Sequence, residues 1–218
     1  KTLNTFMRLH VFAGYSADTL GEFQKMAKVS GQDAGEMVQR FANQVVELKK
    51  VNKSALSIKV VMETVAKAGY HARIQFGGQK DALVKAAFVA KQMGMEIDEM
   101  VAATKSLLNI EDSIEAEMEA QLLTGKDINL SKARELALNG KSDEAMQEIM
   151  NQMGGAEEFA KLNVIQQESL AKAAGLSADQ LSKAMVTQKE QANIQGDLVE
   201  GAKDGLKAQQ SGASLSEQ

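Results

Sequence analysis

One cadence occurs three times in this chain and limits what it can fold into. Gly14–Leu20 (GYSADTL), Gly94–Met100 (GMEIDEM) and Gly175–Leu181 (GLSADQL) share one spelling: glycine, a large apolar residue, two variable positions, aspartate, one variable position, then Leu or Met. A glycine at this point can take the left-handed conformation that closes one helix without a Cβ clash. Ser16 or Ser177 can then cap the next helix, with Asp18 or Asp179 in its first turn near the positive end of the dipole. The apolar residue after the glycine falls at N′ and the Leu or Met at N4, the spacing of a hydrophobic staple. Each copy therefore reads as a tight corner between two helices. The middle copy has Glu96 at the cap position, so weaker capping is expected there.

The rest of the chain follows the same rule. Phe6, Leu9, Val11 and Phe12 open a helical face that stops at Gly14. A second helix runs from about Ala17 to Val29 and ends at Gly31. Asp33 can cap a third, striped by Met37, Val38, Phe41, Val45 and Leu48 at helical spacing. Ser54 can start a helix carrying Ile58, Val61, Met62 and Val65 that breaks at Gly69. A short segment with His71 and Arg73 leads to a turn at Phe76, Gly77 and Gly78. From Asp81, Leu83, Val84, Ala87, Phe88 and Met93 mark the helix entering the corner at Gly94. Met100, Ala103 and Leu107 follow it, leading to Ile110.

Ile114, Met118 and Leu122 then mark a helix ending at Gly125. Asn129 or Ser131 can cap the next, which ends at Gly140, and Ser142 begins one that ends at Met153. Leu162, Ile165, Leu170 and Ala173 enter the corner at Gly175, and Leu181, Met185 and Ile194 leave it. Strand signals are poor, and no heptad persists long enough for a coiled coil. Proline is absent from the 218 residues, whereas about one residue in twenty is usual. The expectation is an all-α array of about ten short helices joined by glycine corners, not a single long coiled coil. It divides into an N-terminal helical region over 1–70, a second over 71–195, and a linker or tail over 196–218.

Several classes of function find no support in the residues. There is no cysteine for a disulfide, a thiolate zinc site or a nucleophile. His10 and His71 lie in neither Glu-x-x-His nor His-x3-His, so helical zinc and di-iron patterns are missing. Gly77-Gly78-Gln79-Lys80 lacks P-loop spacing, and no Gly-x-Ser-x-Gly is present. Aromatics are only 4%, too few for the platforms that sugar clefts use, while the 12 methionines suit adaptable helical packing. The expectation is no catalytic residues, no metal and no cofactor. No apolar stretch reaches the length of a membrane span. Because a helical pattern begins at once after Lys1, the sequence reads as an excerpt or a processed product.

Two features ask for a partner. Glu111, Asp112, Glu115, Glu117 and Glu119 form the densest run of charge, with Glu111, Glu115 and Glu119 at i, i+4 and i+8 on one face. Such like-charge pairs cost a few tenths of a kcal/mol each unless a basic surface answers them. The run reads first as a solvated face and second as a partner surface. The segment Ile165–Val186 also matches the helix-turn-helix of DNA readers at Ala171, Gly175, Leu176 and Leu181. Its second helix, Ser177 to Val186, offers only Lys183 beside Asp179, and the chain carries a net charge of −4. Phosphate contacts supply most non-specific affinity, so specific nucleic-acid binding is not expected.

Three phrases add a resemblance. They are QFGGQKDALVKAAFVAKQMGMEIDEM (Gln75–Met100), SLLNIEDSIEAEMEAQLLTGKDINLSKARELALNG (Ser106–Gly140) and LNVIQQESLAKAAGLSADQLSKAM (Leu162–Met185). In this order and spacing they resemble a segment of the tail tape-measure proteins of bacteriophages, over about half the chain. The resemblance implies a virion protein of the tail lumen or tail tip, assembled in the host cytoplasm, present in several copies. It also implies roles in tail assembly, tail-length determination and genome ejection, with contacts to the tail tube, tail tip or baseplate hub. The alternative is a helix-turn-helix DNA-binding or other helical interaction module. A measuring rod would be one continuous helix, so the glycine corners suggest a folded part near the tail tip.

Overall fold

The computed structural model describes residues 14–77 and 82–194, and among these it contains twelve helices and no strand. In chain order they are α1 (Ala17–Ser30), α2 (Ala34–Val51), α3 (Ile58–Lys67), α4 (Tyr70–Gly77), α5 (Ala82–Gln92) and α6 (Ile97–Ser106). Then follow α7 (Ile110–Thr124), α8 (Ser131–Leu138), α9 (Ser142–Met153), α10 (Ala156–Phe159) and α11 (Val164–Ala173), with α12 over 178–194. The fold is the expected all-α array of short helices.

Local signals place most boundaries. Ser16 Oγ accepts from the Thr19 amide, and Asp33 accepts from the amides of Gly35 and Glu36. Gly31 closes α1 with φ +66°. Four boundaries differ from the sequence reading. At α8 the cap position is Leu130, without a side-chain cap, rather than Asn129 or Ser131. Ser57, not Ser54, caps α3 by accepting from the Val60 amide. Ser54 is buried instead, and Leu56, in the non-helical stretch after it, packs on the core. Residues 70–77 form one helix, which takes in Phe76 and Gly77 where the sequence places a turn. A single turn, α10, precedes α11, so Leu162 lies in a turn outside the helix. The expectations for residues 1–13, 78–81 and 195–218 lie outside the described residues.

α5 sits at the centre. Its sequence is apolar nearly all round, and Leu83, Val84, Ala86, Ala87, Phe88, Val89 and Ala90 are all buried, as a core helix requires. α2, α3, α4, α6 and α9 pack around it, with α1 laid across α2 and α3. Phe23 of α1 meets Phe41 of α2 edge to face, with ring centroids 6.3 Å apart. α9 bridges α5, α6 and α8. The buried apolar residues form one continuous core from Tyr15 to Met185.

The corners at Gly94 and Gly175 are formed, and Gly14, whose preceding segment lies outside the described residues, has the same left-handed backbone. Gly14, Gly94 and Gly175 have φ of +66°, +66° and +72°. At Gly94 the Met95 amide bonds back to the Ala90 carbonyl, and at Gly175 the Leu176 amide bonds to the Ala171 carbonyl. Both are the closing bonds of a Schellman motif. The staple residues Tyr15 and Leu20, Met95 and Met100, and Leu176 and Leu181 are buried in all three copies. Ser177 and Gln180 cap α12 reciprocally. At Glu96 the expected weakness is not found: Glu96 and Glu99 form a capping box, Glu99 accepting from the Glu96 amide, and the Glu96 carboxylate also pairs with Lys91.

Two of the corners also interlock, which the sequence did not announce. A Cβ on Gly94 would stand 2.6 Å from Thr187 Oγ1, and one on Gly175 would meet Ser106 Oγ and the Ala103 carbonyl oxygen, the latter at 2.5 Å. Ser106 and Thr187 hold the same position, twelve residues past Gly94 and Gly175 respectively. Each corner thus receives the hydroxyl of the helix that leaves the other.

Candidate functional site

The lock at Gly94 and Gly175 brings α11 back beside α7, and this pair presents the most unusual surface of the molecule. α7 turns its small residues, Ser113, Ala116 and Ala120, inward. α11 answers with Ser169, Leu170, Ala171 and Ala173. Small residues on both sides allow the backbones to approach closely. Gln166, near the start of α11, donates to the Leu123 carbonyl near the end of α7 at 2.8 Å. Lys172, near the end of α11, meets Glu119 at 2.8 Å. The two helices therefore run antiparallel. The hydrogen bond from Lys172 to Glu119, helped by the charges of Glu115 and Asp112, holds the Lys172 ammonium above the usual lysine range.

Polar residues of the distinctive phrases fix the surrounding loops. Arg134 of α8 lies 2.7 Å from Glu117 of α7, with both side chains nearly buried. Arg134 also donates to Ser113 Oγ at 3.1 Å. The Glu117 contact is a close ion pair without hydrogen-bond alignment, so Ser113 supplies the directional partner. Removing one member of such a pair leaves a buried charge uncompensated, a cost of about 3–5 kcal/mol. The loop 125–130 is pinned by Ile128 and Leu130, both fully buried. Gln121 donates to the Ile128 carbonyl. Lys126 reaches the Met153 carbonyl at 3.1 Å and Glu158 at 2.9 Å. Asn163 and Gln166 cap α11 reciprocally, and Gln167 donates to the carbonyls of Phe159 and Leu162.

What α7 turns outward is not an ordinary polar face. Ile110, Ile114, Met118 and Leu122 form one row at i+4 spacing, and Met118 and Leu122 are 63% and 85% exposed. Glu111, Glu115 and Glu119 form a second exposed row immediately beside it. The two rows border a shallow groove along the helix. At the Leu123 end the surface continues to the start of α11, where Val164 and Ile165 are 68% and 66% exposed. A soluble surface rarely carries so ordered an apolar strip without a partner.

The other sequence candidates separate cleanly. Glu117 leaves the acidic face for its pair with Arg134, whereas Glu111, Asp112, Glu115 and Glu119 stay on the surface. His10 and the residues 78–80 lie outside the described residues; His71 falls on α4. Among the described residues no group of three or more His, Cys, Asp or Glu could hold a metal ion. The helix-turn-helix segment is folded as a corner, but its turn is packed against the end of α6 at Ala103 and Ser106. On α12 the exposed charged residues are Asp179, Lys183, Lys189 and Glu190, with Lys189 paired to Glu157 of α10 at 2.6 Å. A second cavity of about 560 Å³ lies between α4, α6 and α8, lined by Ile74, Val101, Leu108 and Leu138 with Asp98 and Lys105. Asp98 is already engaged there, accepting from the Gly69 amide at 2.9 Å.

The apolar row on α7 was missed as a surface because Ile, Met and Leu at i+4 spacing read as core by default. The signal lay in the third face, whose Ser113, Ala116 and Ala120 suit close helix packing better than a bulky stripe does. No helix of the described residues is long and apolar enough to cross a membrane. Comparison of the chain with protein-family models, with curated proteins and with solved structures gave no match.

Proposed function

We propose that this chain is a non-enzymatic structural segment of a phage tail tape-measure protein, folded as a helical module that associates with other copies and with tail proteins. The observation that carries the reading is the sequence resemblance over Gln75–Met185 together with what its specific letters do. Gln121, Lys126, Arg134, Gln166 and Gln167 each tie a loop or helix end to a neighbour. The strings that make the resemblance distinctive are thus fold-determining, as a shared architecture would require. The exposed strip on α7 supports an assembly role, since a segment of this kind acts through surfaces.

Two features favour this reading over a DNA reader. The turn at Gly175 is occupied by α6, and on α12 Lys183 stands beside Asp179 while Lys189 is already paired to Glu157. Without a basic stripe there is little to engage phosphates. The deciding experiment deletes the segment in frame from the phage gene and images the particles. The reading expects absent, misassembled or length-altered tails. Normal tails with full infectivity would overturn it, and tight, steeply salt-dependent DNA binding by the purified chain would promote the alternative.

A further inference from the structure

The outer face of α7 has the form of one half of a helix–helix interface whose other half is absent. Its apolar row runs from Ile110 to Leu122, about 18 Å at 1.5 Å per residue. Rows at i+4 spacing are the ridges that pack into the grooves of another helix. A helix of three to four turns matches that length.

Charge selects among the helices that could lie there. Along one flank of the apolar row stand Glu111, Asp112, Glu115 and Glu119, with Lys172 the cation paired to Glu119. A second copy of this chain would bring the same acidic row into the interface. Like charges brought together across an interface disfavour pairing, whereas an opposite row steers encounter and fixes register. A partner with lysines or arginines beside its apolar row relieves the repulsion among Glu111, Glu115 and Glu119 and covers the exposed side chains in one step.

We propose that the α7 face docks a basic amphipathic helix, the apolar row of α7 receiving its apolar side and Glu111, Glu115 and Glu119 receiving its cationic flank. This does not rest on the tail assignment.

The test uses the full chain and two labelled 18-residue helical peptides with identical leucine rows, one flanked by lysines and the other by glutamates. Fluorescence anisotropy should show the lysine peptide binding at least tenfold more tightly than its twin. Met118→Ser with Leu122→Ser keeps every charge and should weaken that binding at least tenfold. Glu111→Lys with Glu115→Lys should turn the preference toward the glutamate peptide. Both pairs of substitutions lie on exposed positions, and unchanged far-UV circular dichroism and melting confirm the fold.

Equal binding of the lysine peptide to the serine variant would mean charge attraction alone and would overturn the proposal. So would failure of both peptides to bind. Self-association of the chain in sedimentation, lost in the serine variant, would identify a second copy as the occupant and overturn it as well.

Discussion

The corners at Gly14 and Gly175 are spelled alike and do different work. Both glycines are left-handed, both are followed by a buried staple pair, and both precede a serine-capped helix. Around Gly14, among the described residues, a Cβ would meet only Lys59 Nζ, at the ordinary contact distance of 3.8 Å. Around Gly175 there is no room, because the backbone of Ala103 and the Ser106 side chain fill the space. Gly94 is intermediate, since its neighbour Thr187 is a side chain that can move. Local sequence makes a corner; tertiary contact turns a corner into a lock. The lock holds α12 against the Gly94 corner and α11 beside α7, and so positions the exposed strip.

That comparison yields a graded series. Gly175→Ala combines left-handed strain of about 1 kcal/mol with overpacking against backbone, for a total of about 3 kcal/mol. Urea unfolding followed by circular dichroism is the suitable readout, because the chain contains no Trp. Gly94→Ala should cost about 2 kcal/mol, because a rotating hydroxyl gives way more easily than a carbonyl. Adding Thr187→Ala to it should recover about 1 kcal/mol, a coupling that a double-mutant cycle measures directly. Gly14→Ala should cost only the strain of about 1 kcal/mol. Equal costs at the three glycines would break the distinction between corner and lock.

The smallest effect is electrostatic. Hydrogen bonds from Lys189 and Lys126 hold the Glu157 and Glu158 carboxyls below their ordinary range, as Lys85 does for Glu144. Groups lowered in the folded state contribute stability that is complete above their ordinary value and lost as pH falls through the lowered one. The urea midpoint should therefore decline slightly as pH drops below about 4.5. These pairs are exposed, so added salt should reduce the decline.

Much of this fold was legible because its punctuation is local. Gly31, Asp33, Gly125 and the three corners act through their own backbone and their nearest neighbours. Ser54 and Ser57 show where that logic ends. Either serine can cap a helix, and the choice falls to Ser57 because Leu56 must reach the core. α4 escaped notice because YHARIQFG has neither a cap signal nor a clear stripe. Ser106 and Thr187 read as unremarkable polar residues, and only the fold shows that they meet the glycines of the opposite corners. The strip on α7 was visible as a pattern but not as a surface. Its direction depends on which face of the helix lies against α11, a contact 53 residues away at Glu119 and Lys172.

The reciprocal lock is tested most directly by native-state hydrogen exchange on Gly175→Ala beside the wild-type chain. Substitution at one corner should lower amide protection at both, in α6 and around Gly94 as well as in 174–187, and should loosen α7 together with α11. Loss of protection confined to the few residues around position 175, with α6 and the Gly94 corner unchanged, would contradict the account.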